Sequence, residues 1–274
     1  MKFTALKALA DLLVPRKCIV CGEKLTLMEE HLCRWCRDDM PLTRFWQVRH
    51  NRMADKFNER IQTELEREWD ESDKEAAESH TMGDEAQSDN PAEFKHYPLE
   101  RYAYTTALFF FNEEGGYNRI PYRIKYEGDI RAGRYFGTRL GEHMITAEWF
   151  QDIDVIIPVP LHWKRRWKRG YNQAEIIAQG ISKALGVPVR TDILKRRRNT
   201  RTQIHLDIEG KAANVAGAFI ATRTIDDNPT RHILLVDDVF TTGSTLIACF
   251  TALREVFPPS VRISVATLAF VGGP

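Results

Sequence analysis

The sequence predicts an α/β protein built on a mainly parallel sheet flanked by helices, with a small cysteine-rich module at its amino terminus. Three observations carry that prediction. Short apolar runs such as Val155–Ile157 and Ile233–Val236 alternate with stretches whose apolar residues recur at helical spacing, as in buried parallel strands joined by helices. One of those runs leads straight into Asp237 and Asp238, then a loop of hydroxyls and glycine ahead of a helix. Two C-x-x-C pairs precede the alternation and stand outside it.

With 274 residues, 43% of them hydrophobic, the chain has room for one large domain with appendages, and no apolar run approaches a membrane span. From Met1 to Val14, Phe3, Leu6, Ala10 and Leu13 fall at helical spacing, but Lys7 and Asp11 interrupt them. That is a poor signal peptide, and the expected compartment is the cytoplasm. The net charge of +1 hides a strong internal asymmetry.

In chain order, Cys18, Cys21, Cys33 and Cys36 come first. Two thiol pairs within twenty residues have the spacing to place four thiolates around one tetrahedral Zn²⁺, in a structural role because four sulfurs leave no open position. Disulfides or free thiols are the alternative, and disulfides fit poorly without an export signal. His31 reads as a surface histidine and Cys249 as a small buried hydrophobe. From Glu59 to Asn90, twelve acidic residues face only Arg60, Arg67 and Lys74. Residues 55–78 read as a solvated helix and 79–90 as a linker, so little of this segment is expected in a core. A second reading makes it a mimic of nucleic acid that covers a basic groove.

Ala103–Phe111 is β-rich, and helical patterns follow through Ile120 and Ile124, then from Ile130 to Trp149. The apolar run from Asp154 ends at Pro158 and Pro160, which cannot continue a central strand. Lys164, Arg165, Arg166, Lys168 and Arg169 come next with Trp163 and Trp167 interleaved, then a helix carrying Ile176, Ile177, Ile181 and Leu185. A short strand (187–190), a second basic run from Lys195 to Arg201, a strand at Ala218–Ala221 and a closing strand at Val261–Ala269 complete the pattern. The ten cations of the two basic runs, with their tryptophans, suit the backbone and stacked bases of single-stranded nucleic acid.

The segment from Ile233 to Thr245 organises the rest. A loop at the carboxyl end of a parallel strand and the amino end of a helix is where α/β sheets bind ligands. Unpaired amides and the helix dipole make it a phosphate seat, to which Thr241, Thr242, Ser244 and Thr245 add hydroxyls and Gly243 a close backbone approach. Asp237 and Asp238 would repel phosphate and suit hydroxyls or a hydrated divalent cation. Ribose 5-phosphate satisfies both halves. The plainer alternative is an acidic strand end with a threonine N-cap.

The stretch Val236–Thr245 resembles the phosphoribosyl-pyrophosphate (PRPP) loop of type I phosphoribosyltransferases. Together with the four cysteines, K-Y-x-G at Lys125–Gly128, P-V-P-L at Pro158–Leu161, R-G-Y-N-Q-A-E at Arg169–Glu175 and R-x-x-x-T-x-x-Q at Arg196–Gln203, it resembles the ComF-like competence family. The acidic segment is longer than that pattern leads one to expect. The resemblance implies a type I phosphoribosyltransferase-like sheet, with a zinc-ribbon-like module at 1–47, an acidic insertion and linker at 48–98, and the phosphoribosyltransferase-like domain at 99–274. It further implies PRPP and Mg²⁺ as ligands, with Asp237 and Asp238 at the ribose hydroxyls or the cation and at the centre of catalysis. Thr241, Thr242, Gly243, Ser244 and Thr245 fall at the 5-phosphate. Pro158, Val159, Pro160 and Leu161 form the pyrophosphate loop, with Arg165 and Arg169 at the leaving group and a lid containing Arg196, Arg201 and Gln203. A role in DNA uptake with the uptake machinery follows from the same resemblance. Either phosphoribosyl transfer or non-catalytic binding of single-stranded DNA by a protein that keeps the PRPP site is compatible with it.

Overall fold

The computed structural model describes residues 15–80, 101–112, 115–197, 217–222 and 230–273. The amino-terminal amphipathic run, the linker at 81–90 and the lid residues Arg201 and Gln203 lie outside them. The β-branched and aromatic runs form four strands, β1 (Thr105–Phe111), β2 (Val155–Pro158), β5 (His232–Phe240) and β6 (Arg262–Val271). They pair entirely in parallel in the order β1-β6-β5-β2. Two short strands, β3 (Leu194–Arg196) and β4 (Phe219–Ala221), pair antiparallel in a separate ribbon. The expected strand at 187–190 is a single bridge from Val189 to Ile156 that extends the β2 edge.

Helices cover both faces, which is why the strands are mainly apolar. On one face α4 (Ile130–Met144) and α6 (Gln173–Leu185) bury Phe136, Leu140, Ile177 and Ile181 against Leu234, Val236 and Ala266. Gly137 and Gly180 bring these two helices together backbone to backbone; a methyl on Gly180 would lie 2.9 Å from the Gly137 carbonyl carbon. The helical pattern expected to run on to Trp149 breaks at Met144 and resumes as one 3₁₀ turn at Glu148–Phe150.

On the other face lie α7 (Ser244–Arg254) and α2 (Arg52–His80). Here the structure corrects the reading of the acidic segment. The amino-terminal turns of α2 are core: Met53, Ala54, Phe57 and Ile61 are buried, and Phe57 packs edge-on against Phe240 and Phe250. Asn51 fixes where the helix starts, accepting from the amides of Met53 and Ala54 and donating to the Thr105 carbonyl. Acidic residues outnumber apolar ones along the segment, but Phe57, Ile61 and Leu65 follow one another at four-residue spacing on the face turned to the core. Removing residues from 59 onward would take Ile61 out of that core.

The cysteine-bearing residues and the sheet also share a core. Cys18, Leu25, Leu32 and Trp46 pack into the same cluster as Leu108 and Phe136. Leu42 bridges to Phe109 along the outer edge of β1. Among the described residues, no helix is long and apolar enough to cross a membrane.

Candidate functional site

Two loops open side by side at the carboxyl edge of the sheet. Pro158 lies opposite Val236, and the Val159 amide donates to the Val236 carbonyl at 2.8 Å, so the turns after β2 and β5 are neighbours. β5 runs further than its apolar residues suggest. Asp237 pairs opposite Thr267 and Phe240 opposite Phe270, because β6 continues as a partner through both acids. The loop proper is therefore only Thr241–Gly243. Gly243 has φ +79°, and a Cβ there would approach the Phe240 ring to 2.9 Å, so the position needs glycine on both counts. Gly243 is the residue ahead of α7, and no side chain caps that helix. The Thr242 and Ser244 hydroxyls sit 3.0 Å apart beside the uncapped turn. Thr241, Thr242, Gly243, Ser244 and Thr245 thus gather amides, hydroxyls and the positive helix end at one point.

Asp237 and Asp238 are almost completely buried beside that loop, at 9% and 8% exposure. Each accepts from the next residue's amide at 2.9 Å. Those bonds occupy one oxygen of each, and Asp238 Oδ2 is buried with no partner. Burial, and then the Asp238 charge, push the Asp237 carboxyl well above the usual carboxylate range, while Lys125 opposes the shift. A buried carboxyl pair with an orphaned oxygen is what a divalent cation or sugar hydroxyls would satisfy, so the donor set fits Mg²⁺.

Lys125 was not among the residues singled out for the site, although the K-Y-x-G motif contains it. It lies on a π-helical turn, Arg123–Glu127, ended by Gly128 at φ +75°. Its ammonium lies over the Tyr126 ring, 5.6 Å from the centroid, and the Arg169 guanidinium lies over the same ring at 5.8 Å. Arg196 of β3 also reaches this region: burial and then Arg165 lower its guanidinium, and Asp237 raises it. Asp237 is therefore within electrostatic reach of Lys125 and Arg196, and Arg196 of Arg165.

Asn172 explains the R-G-Y-N-Q-A-E motif. Buried ahead of α6, it donates to the Val159 carbonyl at 2.9 Å and accepts from the Ala174 amide, so one side chain ties the loop Pro158–Leu161 to the helix. Arg169 donates to Gln173, and Tyr171 to the Ile124 carbonyl. His162, buried next to that loop, accepts from the Lys164 amide at the start of α5 (Trp163–Arg169). None of the seven residues of α5 is buried, and Trp163 and Trp167 stand out at 65% and 87% exposure.

At the amino terminus, the four cysteine sulfurs lie within 4.8 Å of one another, and Cys21 and Cys33 are 3.7 Å apart. Bonds of about 2.3 Å to a tetrahedral zinc give sulfur–sulfur edges of about 3.8 Å, so the cluster fits that ion. All four are free thiols. Burial raises the Cys18 thiol, but the amides of Cys21, Cys33 and Val20 outweigh it and bring it down to about 7, whereas burial and the neighbouring thiols push Cys36 up. The cluster is tied to the fold by Tyr117, which donates to the Cys36 carbonyl at 2.8 Å, and by Arg119, which donates to the Val20 carbonyl at 2.9 Å. His31 is half-buried against Tyr135 and Phe136 and stands apart from the four clustered sulfurs. Cys249 is fully buried on α7, as expected of a small hydrophobe.

Residues 170–271 match the family model described as a phosphoribosyl transferase domain. The chain is 39% identical over 110 residues to competence protein F of Haemophilus influenzae, covering 40% of this chain and 48% of that protein. It is 38% identical over 93 residues to DNA utilization protein YhgH of Escherichia coli O157:H7, covering 34% of this chain and 40% of that one. Competence protein ComFC of Streptococcus pneumoniae is 26% identical over 140 residues, 51% of this chain and 58% of that one. The chain thus spans about half the length of these relatives, and the family match takes in β5, β6 and the loop between β5 and α7.

Proposed function

We propose that the chain is a ComF-like competence protein with a phosphoribosyltransferase fold, as its similarities suggest, and that it binds PRPP with Mg²⁺ and transfers the phosphoribosyl group, in the cytoplasm and in connection with DNA uptake. The observation that carries this reading is the buried Asp237–Asp238 pair, with an orphaned carboxylate oxygen, set beside an uncapped helix start. The two carboxyls hold the ribose hydroxyls, and the amides and hydroxyls from Thr241 to Thr245 hold the 5-phosphate. Pro158–Leu161 bracket the pyrophosphate, with Arg165 and Arg169 beside it and Lys125 completing the cationic side. Arg196, with Arg201 and Gln203, belongs to the segment that excludes water. In the reaction the C1–oxygen bond to pyrophosphate breaks, its electron pair leaves on the pyrophosphate, and an acceptor nucleophile bonds to C1. Mg²⁺ supplies neutralisation of the pyrophosphate charge. The chain's own contribution is to position the two reactants and to stabilise an oxocarbenium-like transition state. The four cysteines hold a structural Zn²⁺.

Calorimetry with PRPP and Mg²⁺ on the wild-type protein is the test, with saturable Mg²⁺-dependent binding expected. No binding at millimolar ligand would transfer the case to a second reading, a non-catalytic protein that binds single-stranded DNA and works with other uptake proteins. The exposed Trp163 and Trp167 among the five cations of α5 favour that reading, because α5 buries nothing in the fold.

A further inference from the structure

α2 does more than fill one side of the core. Lys56 and Arg60 are one turn apart on one of its faces, on either side of the buried Phe57 that packs against Phe240 and Phe250. Lys56 Nζ donates to the Thr241 carbonyl at 3.1 Å. Arg60 Nη1 donates to the Thr242 carbonyl and lies 3.3 Å from Ser244 Oγ. Two cations of one helix thus grip two consecutive carbonyls of the loop at the end of β5. The helix offers a fixed base for this grip, since Asn51 ties its start to β1 and Phe57 and Ile61 are buried.

A peptide unit is planar, and in its trans form the N–H points opposite to the C=O. Holding the Thr241 carbonyl toward α2 turns the Thr242 amide away from it, and holding the Thr242 carbonyl does the same for the Gly243 amide. Neither amide donates to any of the described residues. We propose that Lys56 and Arg60 are positioning residues of the phosphate loop: from behind, they orient the Thr242 and Gly243 amides toward the 5-phosphate and add two positive charges that never touch the ligand. The inference rests on the PRPP reading above and assigns to the first turns of α2, where the acidic run begins, a part in that site.

The test is binding of three probes, PRPP with Mg²⁺, ribose 5-phosphate and inorganic pyrophosphate, to the wild-type full chain and to Lys56→Met, Arg60→Met, Lys56→Arg and Arg60→Lys. Methionine keeps the apolar stem and removes the donor and the charge. Each methionine variant is expected to weaken ribose 5-phosphate and PRPP by roughly ten- to hundredfold, as for loss of a charge-assisted hydrogen bond, and to leave pyrophosphate affinity unchanged. The Lys56→Arg and Arg60→Lys variants are expected to recover most of the loss. Should Arg60→Met fail to fold, Lys56→Met, which removes the more exposed of the two hydrogen bonds, still decides the matter. Unchanged ribose 5-phosphate affinity in the methionine variants overturns the inference while leaving the PRPP site standing. Equal loss for all three probes also overturns it, since that marks a general disturbance of the site. A wild-type protein that binds neither PRPP nor ribose 5-phosphate overturns the reading beneath it.

Discussion

The thiol cluster at Cys18, Cys21, Cys33 and Cys36 and the carboxyl pair at Asp237 and Asp238 both gather acidic groups more closely than they can ionise together, yet the chain supports them differently. Each pair of thiols is brought together by its own short turn, with Cys33 accepting from the Cys36 amide at the start of α1 (Arg34–Asp38), and Tyr117 and Arg119 tie the turns to the rest of the chain. The carboxyls sit in a strand whose ladder on β6 runs past them to Phe270 and whose flanks are sealed by helices. On the function proposed above, a metal at the first place would complete a fold, whereas a ligand at the second would meet a fold already complete. The same excess of negative charge would then be a folding device in one region and a binding device in the other.

The largest effect that would break this comparison is at the cysteines. Metal analysis of protein purified without chelator is expected to find one zinc per chain. Cys36→Ser, or zinc removal by a strong chelator, should disorder the residues around the cluster, because binding energy of about 10–16 kcal/mol in such modules is also folding energy. Leu32 and Trp46 share a core with Leu108 and Phe136, so the whole chain's melting temperature should fall as well. A melting curve indifferent to chelator would place the two sites in one class. A smaller effect on stability and a total one on binding is expected at the carboxyls. Asp237→Asn combined with Asp238→Asn should abolish Mg²⁺-dependent PRPP binding in calorimetry while the melting temperature stays level or rises, since a buried like-charge pair adds little to packing. A large fall in melting temperature would show that the pair is structural.

What the sequence made legible divides along similar lines. The parallel sheet, the glycine-and-hydroxyl loop after β5 and the thiol cluster could be read because each is written in contiguous residues: an apolar run, a glycine among hydroxyls, a C-x-x-C spacing. The packing of α2 could not, because its evidence is four apolar residues, Met53, Ala54, Phe57 and Ile61, diluted by charged and polar neighbours, and periodicity outweighs composition there. The extent of β5 was misjudged because carboxylates do not look like strand residues; the β6 ladder that carries them is a long-range fact. Lys125 and Asn172 lay inside motifs already marked, but their parts depend on what a π-helical turn and a neighbouring loop bring within reach. The ribbon of β3 and β4 is antiparallel, an exception to the parallel pattern that no local residue announces.

The finest prediction concerns protons at the carboxyl pair. Asp237 holds its proton in the folded chain at pH values where an unfolded aspartate, at about 3.9, has lost it. Between those two values the folded state binds more protons than the unfolded one, so stability falls as pH rises through the window, with a limiting slope of about 1.4 kcal/mol per pH unit for one proton. His232 works in the opposite sense. Burial depresses its imidazole despite the Asp152 carboxylate 2.6 Å away, so its contribution is present above about pH 6.5 and is lost as pH falls below it. The wild-type profile therefore mixes two slopes, and the informative quantity is the difference between wild type and Asp237→Asn, which lacks only the first. Urea unfolding of both from about pH 4 to about pH 8, without divalent cations, should show the variant gaining on wild type as pH rises. Mg²⁺ with PRPP must displace that proton to use the carboxylate, so wild-type affinity should increase with pH over the same window. A difference between the two proteins that stays constant with pH would mean that Asp237 ionises like a surface carboxylate, and the contrast between a site that completes the fold and one that strains it would lose its second half.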